Sequence, residues 1–470
     1  MTARARRPAV APVISQLAAF VASRAMLLGA TIVVARVAGA AAYGSLAIGL
    51  VVLQAGIFIR DAGLGQGLVI VGQRRAGLTW PTFLAATSIG VVLAVVIISL
   101  ADPLTNILGV PEAAEIVRLL GLAFGIGSAG VASSAALERT LRFVSRAWVD
   151  VAAYGALTVV TIALLASGFG AASLAWGYVA HAAVQTSLAV ILSPPWADAG
   201  APLRDVVALA RYSGTLWVAA VLSYLAANLD NALVGRLGGA EALGIYALAY
   251  TIGNTVTIGF VQVVNRVALP YYGRASGEPG AARTLLKTVT LTSISFAALS
   301  AAVIAFLAPE ISRSLFDTSI AIGPLIVLAG YGIVRAAGIV VGTALNGLGE
   351  ARRTVASGAV NVACIALTLP AAFQVAGLTG AGAAVLAALA LSIVVLLPSL
   401  SQRSGANPWR LLWPAALALL AGLVIAALMV ESALVLRLAV IVLIGSAAAA
   451  VAIRGARGLF ETAPSSADPE

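Results

Sequence analysis

The sequence predicts an all-α polytopic membrane protein: about 14 transmembrane helices, in two pseudo-twofold-related six-helix lobes plus two C-terminal helices. Three observations predict it. The chain is 61% hydrophobic and only 10% charged, with a mean hydropathy of +1.04, more apolar surface than a soluble domain can hide. Apolar stretches of spanning length recur along its whole length, separated by short hydrophilic connections. Finally, VARVAGAAAYGSLA (34–47) returns without a gap as VGRLGGAEALGIYA (234–247). Val34/Val234, Arg36/Arg236, Gly39/Gly239 and Gly44/Gly244 are identical in register. A repeat at this distance in a membrane protein predicts two homologous halves around a central site.

The spans fall at 13–36, 42–59, 81–101, 115–137, 147–168, 171–193, 209–235, 242–265, 287–308, 319–345, 354–374, 378–398, 411–430 and 433–453. The first, preceded by MTARARR, is too long for the apolar region of a signal peptide and carries Arg24, so it reads as a membrane helix. With the N-terminus inside, 21 of the 28 basic residues fall on cytoplasmic segments, four at outer ends and three inside spans. That asymmetry predicts both termini cytoplasmic in the cell (inner) membrane. The longest interior connection, SPPWADAGAPLRD, separates spans 6 and 7. The expected organisation is an N-lobe at 1–195, a cytoplasmic linker at 196–208 and a C-lobe at 209–400. Two more helices follow at 401–455, then a polar, disordered tail at 456–470.

Composition also excludes functions. The net charge of +10 sits between apolar stretches without interleaved aromatics, so its placement is topological and implies no nucleic acid. One cysteine, Cys364, allows neither an intrachain disulfide nor a Cys metal site. The single His181 is intramembrane and reads as a helix–helix hydrogen bonder. No nucleotide-binding P-loop, nucleophile–His–acid set or HExxH is present, so the chain reads as no enzyme, with no catalytic residues. RDAGLGQG (60–67) follows a membrane helix rather than a strand, and reads as a glycine turn instead of a nucleotide loop.

Polar residues inside spans carry the functional signal. Arg24 lies near the middle of span 1, where a charge costs a few kcal/mol unless it faces water or a partner; a structural ion pair is the alternative reading. Asp230, in NLDN of span 7, reads as the only acid well inside a span, flanked by Tyr224, Asn228 and Asn231. Span 8 carries Tyr246, Tyr250, Asn254 and Thr257, and span 10 carries Tyr331 and Arg335 at i, i+4. Each alone could be a helix tie; together they predict a hydrated cavity. Arg118 has Glu115 at i−3, a local pair.

Five stretches in order resemble the polysaccharide-exporter (Wzx-type) branch of the multidrug/oligosaccharidyl-lipid/polysaccharide (MOP) flippase superfamily. They are AAYGSLAIGLVVLQAGIFIRDAGLGQGLV, ALERTLRF, NLDNALVGRLGGAEALGIYALAY, NRVALPYYGRAS and LNGLGEARR. The resemblance implies alternating access in a two-lobed bundle, with a polyprenyl-pyrophosphate-linked oligosaccharide moved from the inner to the outer leaflet. It implies lipid-linked oligosaccharide and membrane lipids as partners, with a polysaccharide polymerase and glycosyltransferases beside them. Arg24 matches a cationic position of the related lipid II flippases, and Arg335 would supply a second charge. Asn228, Tyr250 and Asn254 complete the expected substrate-binding set. Asp230 is the expected coupling position for Na+ or H+; no other cofactor and no bound metal are expected. The chain departs from the pattern in offering one placeable C-lobe cation. A MATE-like cation-coupled small-molecule antiporter is the nearest rival; a membrane oligosaccharide polymerase or ligase, which would need larger, chemically richer outer loops, is the next, and an uncoupled lipid scramblase the third.

Overall fold

A computed structural model describes residues 10–61, 68, 76–140, 142–274, 279–316, 320–348, 350–404 and 407. These residues are helical and contain no strand. The helices are α1 (Val10–Ala38), α2 (Ala40–Asp61), α3 (Thr79–Ser99), α4 (Ala101–Ile107), α5 (Ala114–Ser128), α6 (Val131–Arg139), α7 (Phe143–Ala166) and α8 (Ala172–Leu192). There follow α9 (Leu203–Arg274), α10 (Pro279–Phe316), α11 (Ile322–Gly347), α12 (Ala351–Val394) and α13 (Leu397–Ser404). The MTARARR segment, most of RDAGLGQG, spans 13 and 14 and the tail lie outside the described residues.

Among the described residues, eight helical stretches are long and apolar enough to cross a membrane, or nine if a bent pair counts as one span. That pair is the expected fourth span, which bends by 45° between Pro111–Ser128 and Val131–Arg139. The two longest stretches, at 39 and 50 residues, far exceed one crossing of a hydrocarbon core about 30 Å thick. Both contain a break: α9 at Gly239, and α12 at Ala376 and Gly377. The breaks fall between expected spans 7 and 8, and 11 and 12.

The repeat explains the first break. Gly39 (φ 88°) separates α1 from α2, and Gly239 (φ 73°) interrupts α9 at the equivalent position. Only glycine takes this left-handed conformation without steric cost. Five residues on, Gly44 and Gly244 make reciprocal contacts: a Cβ on Gly44 would overlap the Ala240 carbonyl, and one on Gly244 the Ala40 carbonyl. With no hydrophobic drive between helices in lipid, such small-residue crossings let backbones meet closely.

By its packing the chain forms two compact units, Met1–Gly244 and Ile245–Glu470. The first therefore holds α9 as far as Gly244, beyond the expected linker. Its ties are local and polar: the Tyr224 hydroxyl donates to the Val51 carbonyl at 3.1 Å, and Arg236 to the Ile107 carbonyl at 2.6 Å. Arg118 pairs with Asp102 at 2.5 Å instead of the expected Glu115, because Asp102 opens the short α4 that packs beside α5. Arg60, at the end of α2, is only 6% exposed. It donates to the Ser128 hydroxyl at 2.9 Å and lies 5.0 Å from the Phe124 ring centroid.

The first half of the expected linker is clasped. The Asp198 carboxylate accepts from the Gly77 N–H at 2.6 Å, the Thr79 hydroxyl at 2.5 Å and Arg139 at 2.8 Å. Arg142 donates to the Leu192 carbonyl at 2.7 Å. Beneath them Leu68, Leu78, Ala132 and Ala135 form a small apolar core, covered by Ala201 and Val206. Partial burial pushes the Asp198 carboxyl up, but the hydrogen bonds from Thr79, Gly77 and Arg139 outweigh it and hold it below its ordinary value of 3.8.

The second unit packs around Val261, Tyr272, Leu286, Val340, Leu345 and Leu400. Ser357 donates to the Ser392 carbonyl at 2.7 Å, tying the two halves of the broken α12 together.

Candidate functional site

In the first unit a polar seam runs between α7 and α8. Arg146, Asp150, Tyr154 and Thr158 are spaced i, i+4, i+8 and i+12 and share one face of α7. Tyr178, His181 and Gln185 share a face of α8. The two faces meet. Gln185 Nε2 donates to Asp150 Oδ1 at 3.2 Å, and Arg146 pairs with the same oxygen at 2.9 Å. The Tyr154 and His181 rings meet edge-on at 4.5 Å. His181 thus makes an aromatic contact rather than the expected hydrogen bond, and its buried Nε2 has no hydrogen-bond partner among the described residues. Helix α1 closes one side: the Thr158 hydroxyl reaches the Met26 carbonyl at 3.5 Å. Arg24 is an exposed residue of α1, the helix that packs against α7.

Asp150 escaped the reading of the sequence, which set Asp230 as the only acid well inside a span. It lies about two turns into α7 and within an apolar stretch, Val144–Ala166, long enough to cross the membrane. Its signal was the four-residue stripe beginning at Arg146, which reads from sequence as a charge at a helix mouth.

Two other expected site residues also belong to the first unit. Asp230 is 3% exposed and sits beside Asn231, whose amide lies 3.5 Å from Asp230 Oδ1. Asn228 is buried and donates to the Tyr224 carbonyl one turn back, at 3.1 Å.

The second unit gathers the rest. Arg335 donates to the Tyr331 hydroxyl at 2.7 Å, and its guanidinium lies 5.9 Å from the Tyr331 ring centroid. Tyr250 and Tyr331 rings are 5.6 Å apart. Asn254, 1% exposed, donates to the Tyr250 carbonyl at 3.0 Å and across to the Leu328 carbonyl of α11 at 3.2 Å. Tyr246 and Thr257 are buried as well. The stripe on this part of α9 is therefore packed against α11 over most of its length, and Tyr250 on α9 and Arg335 on α11 are the half-buried members of the cluster.

Comparison with known proteins places this architecture. A family model described as polysaccharide biosynthesis protein matches residues 33–293, more than half of the chain, and the chain belongs to that family. It is 27% identical over 244 residues to the succinoglycan biosynthesis transport protein ExoT of Rhizobium meliloti (strain 1021), covering 52% of this chain and 49% of that protein. It is 24% identical over 254 residues to the lipopolysaccharide biosynthesis protein WzxC of Escherichia coli (strain K12), covering 52% and 50%. The chain spans about half the length of these curated relatives. Among solved structures, the lipid II flippase MurJ in an inward closed conformation superposes with a TM-score of 0.71 at 13% identity, over 94% of this chain and 99% of that one. An inward-facing MATE family multidrug transporter of the MOP superfamily gives 0.65 at 17%, over 84% and 99%. The fold is the all-helical membrane fold of this superfamily.

Proposed function

We propose that this protein moves a polyprenyl-pyrophosphate-linked oligosaccharide from the inner to the outer leaflet by alternating access, for polysaccharide biosynthesis. In this reading it is a fourteen-helix transporter of the inner membrane with two lobes and both termini cytoplasmic, and it catalyses no covalent step. Arg24 is the observation that carries the reading. It is an exposed guanidinium on an apolar helix in a chain of the polysaccharide biosynthesis family. A cation there is tolerated where it faces water or an anionic ligand, and a pyrophosphate is such a ligand.

The physics of the cargo fits. Sugar hydroxyls without partners each cost several kcal/mol in hydrocarbon, so a polar groove must shield the head while the polyprenyl tail stays in lipid. Two pyrophosphate charges moving outward gain roughly 4–5 kcal/mol per 100 mV of inside-negative potential. Asp230, a buried acid in α9, is the position for Na+ or H+ exchange that resets the carrier. Glycosyltransferases and a polysaccharide polymerase would supply and consume the cargo.

The test is reconstitution into sealed vesicles carrying a polyprenyl-pyrophosphate glycan, with accessibility to an impermeant lectin as readout. Protein-dependent exposure of inner-leaflet glycan is expected, and Asp230→Asn should lose its dependence on an imposed Na+ or H+ gradient. No exposure above that of protein-free vesicles under any gradient would overturn the reading.

A further inference from the structure

The α7–α8 seam holds polar capacity that the fold does not use. Asp150 receives both of its partners on Oδ1, while Oδ2 makes no hydrogen bond among the described residues. The side chain nevertheless remains 28% exposed. The Tyr154 hydroxyl and the Gln185 carbonyl oxygen likewise make no hydrogen bond among the described residues, and both side chains are half-buried. At this depth in a spanning helix, acceptors left without partners are costly, so their arrangement implies an occupant that supplies donors.

The chemistry narrows that occupant. Arg146 pairs with the Asp150 carboxylate, and Arg24 adds a second cation on the helix packed against α7; this positive charge disfavours a metal ion or an ammonium group there. What fits is a neutral, hydroxyl-rich group joined to an anionic one. Carboxylate and amide oxygens accept from hydroxyls, and the Tyr154 ring offers an apolar edge to a pyranose. Arg24, on the helix packed against α7, is the cation for the anion.

We propose that Asp150, Gln185 and Tyr154 form a recognition subsite for the first sugar of the cargo, the one joined directly to the pyrophosphate contacted by Arg24. This rests on the flippase reading above. It makes Asp150 a specificity residue for the sugar and leaves the lipid pyrophosphate to Arg24.

The experiment compares two classes of probe on the purified full chain. One is polyprenyl pyrophosphate without sugar. The other is polyprenyl pyrophosphate carrying a single glucose, galactose or N-acetylglucosamine, with the tightest binder of the three used for the variants. Asp150→Asn should weaken the sugar-bearing probe at least tenfold and leave the sugar-free lipid within about twofold. Arg24→Ala should weaken both. Tyr154→Phe, which removes only the hydroxyl, should show the same split as Asp150→Asn at smaller size, and decides the matter if Asp150→Asn does not fold. Equal loss for both probes, or loss for neither, would overturn the subsite. Wild-type protein that binds neither class would instead remove the flippase reading on which it stands.

Discussion

The two polar clusters of this protein use similar residues in different ways. In the second unit, Asn254 spends its amide on the Tyr250 and Leu328 carbonyls, and Arg335 is held by the Tyr331 hydroxyl. In the first, the α7–α8 seam keeps a carboxylate oxygen, an amide oxygen and a phenol without hydrogen bonds among the described residues, and the helix packed against α7 carries the exposed Arg24. The second cluster is not fully satisfied either, since the buried Asn254 Oδ1 makes no hydrogen bond among the described residues; the seam differs in that its unused acceptors belong to half-buried side chains that a ligand can reach. Polarity inside a membrane helix is therefore not one signal but two, and hydrogen bonding taken together with exposure separates them.

That contrast can be broken by mutation. The largest effect on folding is expected at Asn254. Asn254→Ala leaves the Leu328 carbonyl without its donor and should cost about 1–3 kcal/mol of stability, read as a lower Tm, with affinity for a polyprenyl-pyrophosphate glycan unchanged. Lost affinity at unchanged Tm would move Asn254 from tie to site. Tyr331→Phe should cost about 1.5 kcal/mol, the low end for a hydrogen bond to a cation, since Arg335 is half-buried. If the second unit's cluster is structural, Tm falls and ligand binding does not.

A smaller effect is expected at the clasp, which locates part of the first unit's stability away from its seam. The Asp198 carboxyl is held below its ordinary value in the folded state. Its contribution is therefore fully present above pH 3.8 and lost as pH falls through the lower, folded value. Between neutral pH and that acid window, wild-type Tm should fall more than that of Asp198→Asn, which never carries the charge. Parallel curves for the two proteins would remove the clasp as a stabilising element.

Much of the fold was legible because glycine leaves a readable mark. Gly39 and Gly239 occur in register where a left-handed backbone is required, and Gly44 and Gly244 where two carbonyls approach. Among the described residues apolar length located the long helical stretches, but not the bend after Ser128, where the expected single span divides into α5 and α6. Partners were less legible than elements. Arg118 has a plausible acid one turn away and takes another, Asp102, from a different helix. Asp150 was hidden by Arg146 at i−4, because the pair reads as an ordinary surface contact until α8 brings Gln185 and His181 against it. Tertiary proximity decides such cases, and a single sequence does not carry it.

The central claim is that Arg24 contacts the anionic head of the cargo. The direct measurement is the Kd of a polyprenyl-pyrophosphate glycan for wild type, Arg24→Ala and Arg24→Lys, with Tm recorded on the same samples. A charge-assisted contact contributes about 1.5–3 kcal/mol, so Arg24→Ala should bind roughly ten- to a hundredfold more weakly at unchanged Tm. Arg24→Lys should recover part of the loss, since a point charge attracts phosphate without bidentate geometry. An Arg24→Ala protein with lowered Tm, whose folded fraction binds the glycan as tightly as wild type, would contradict the account and make Arg24 a structural residue.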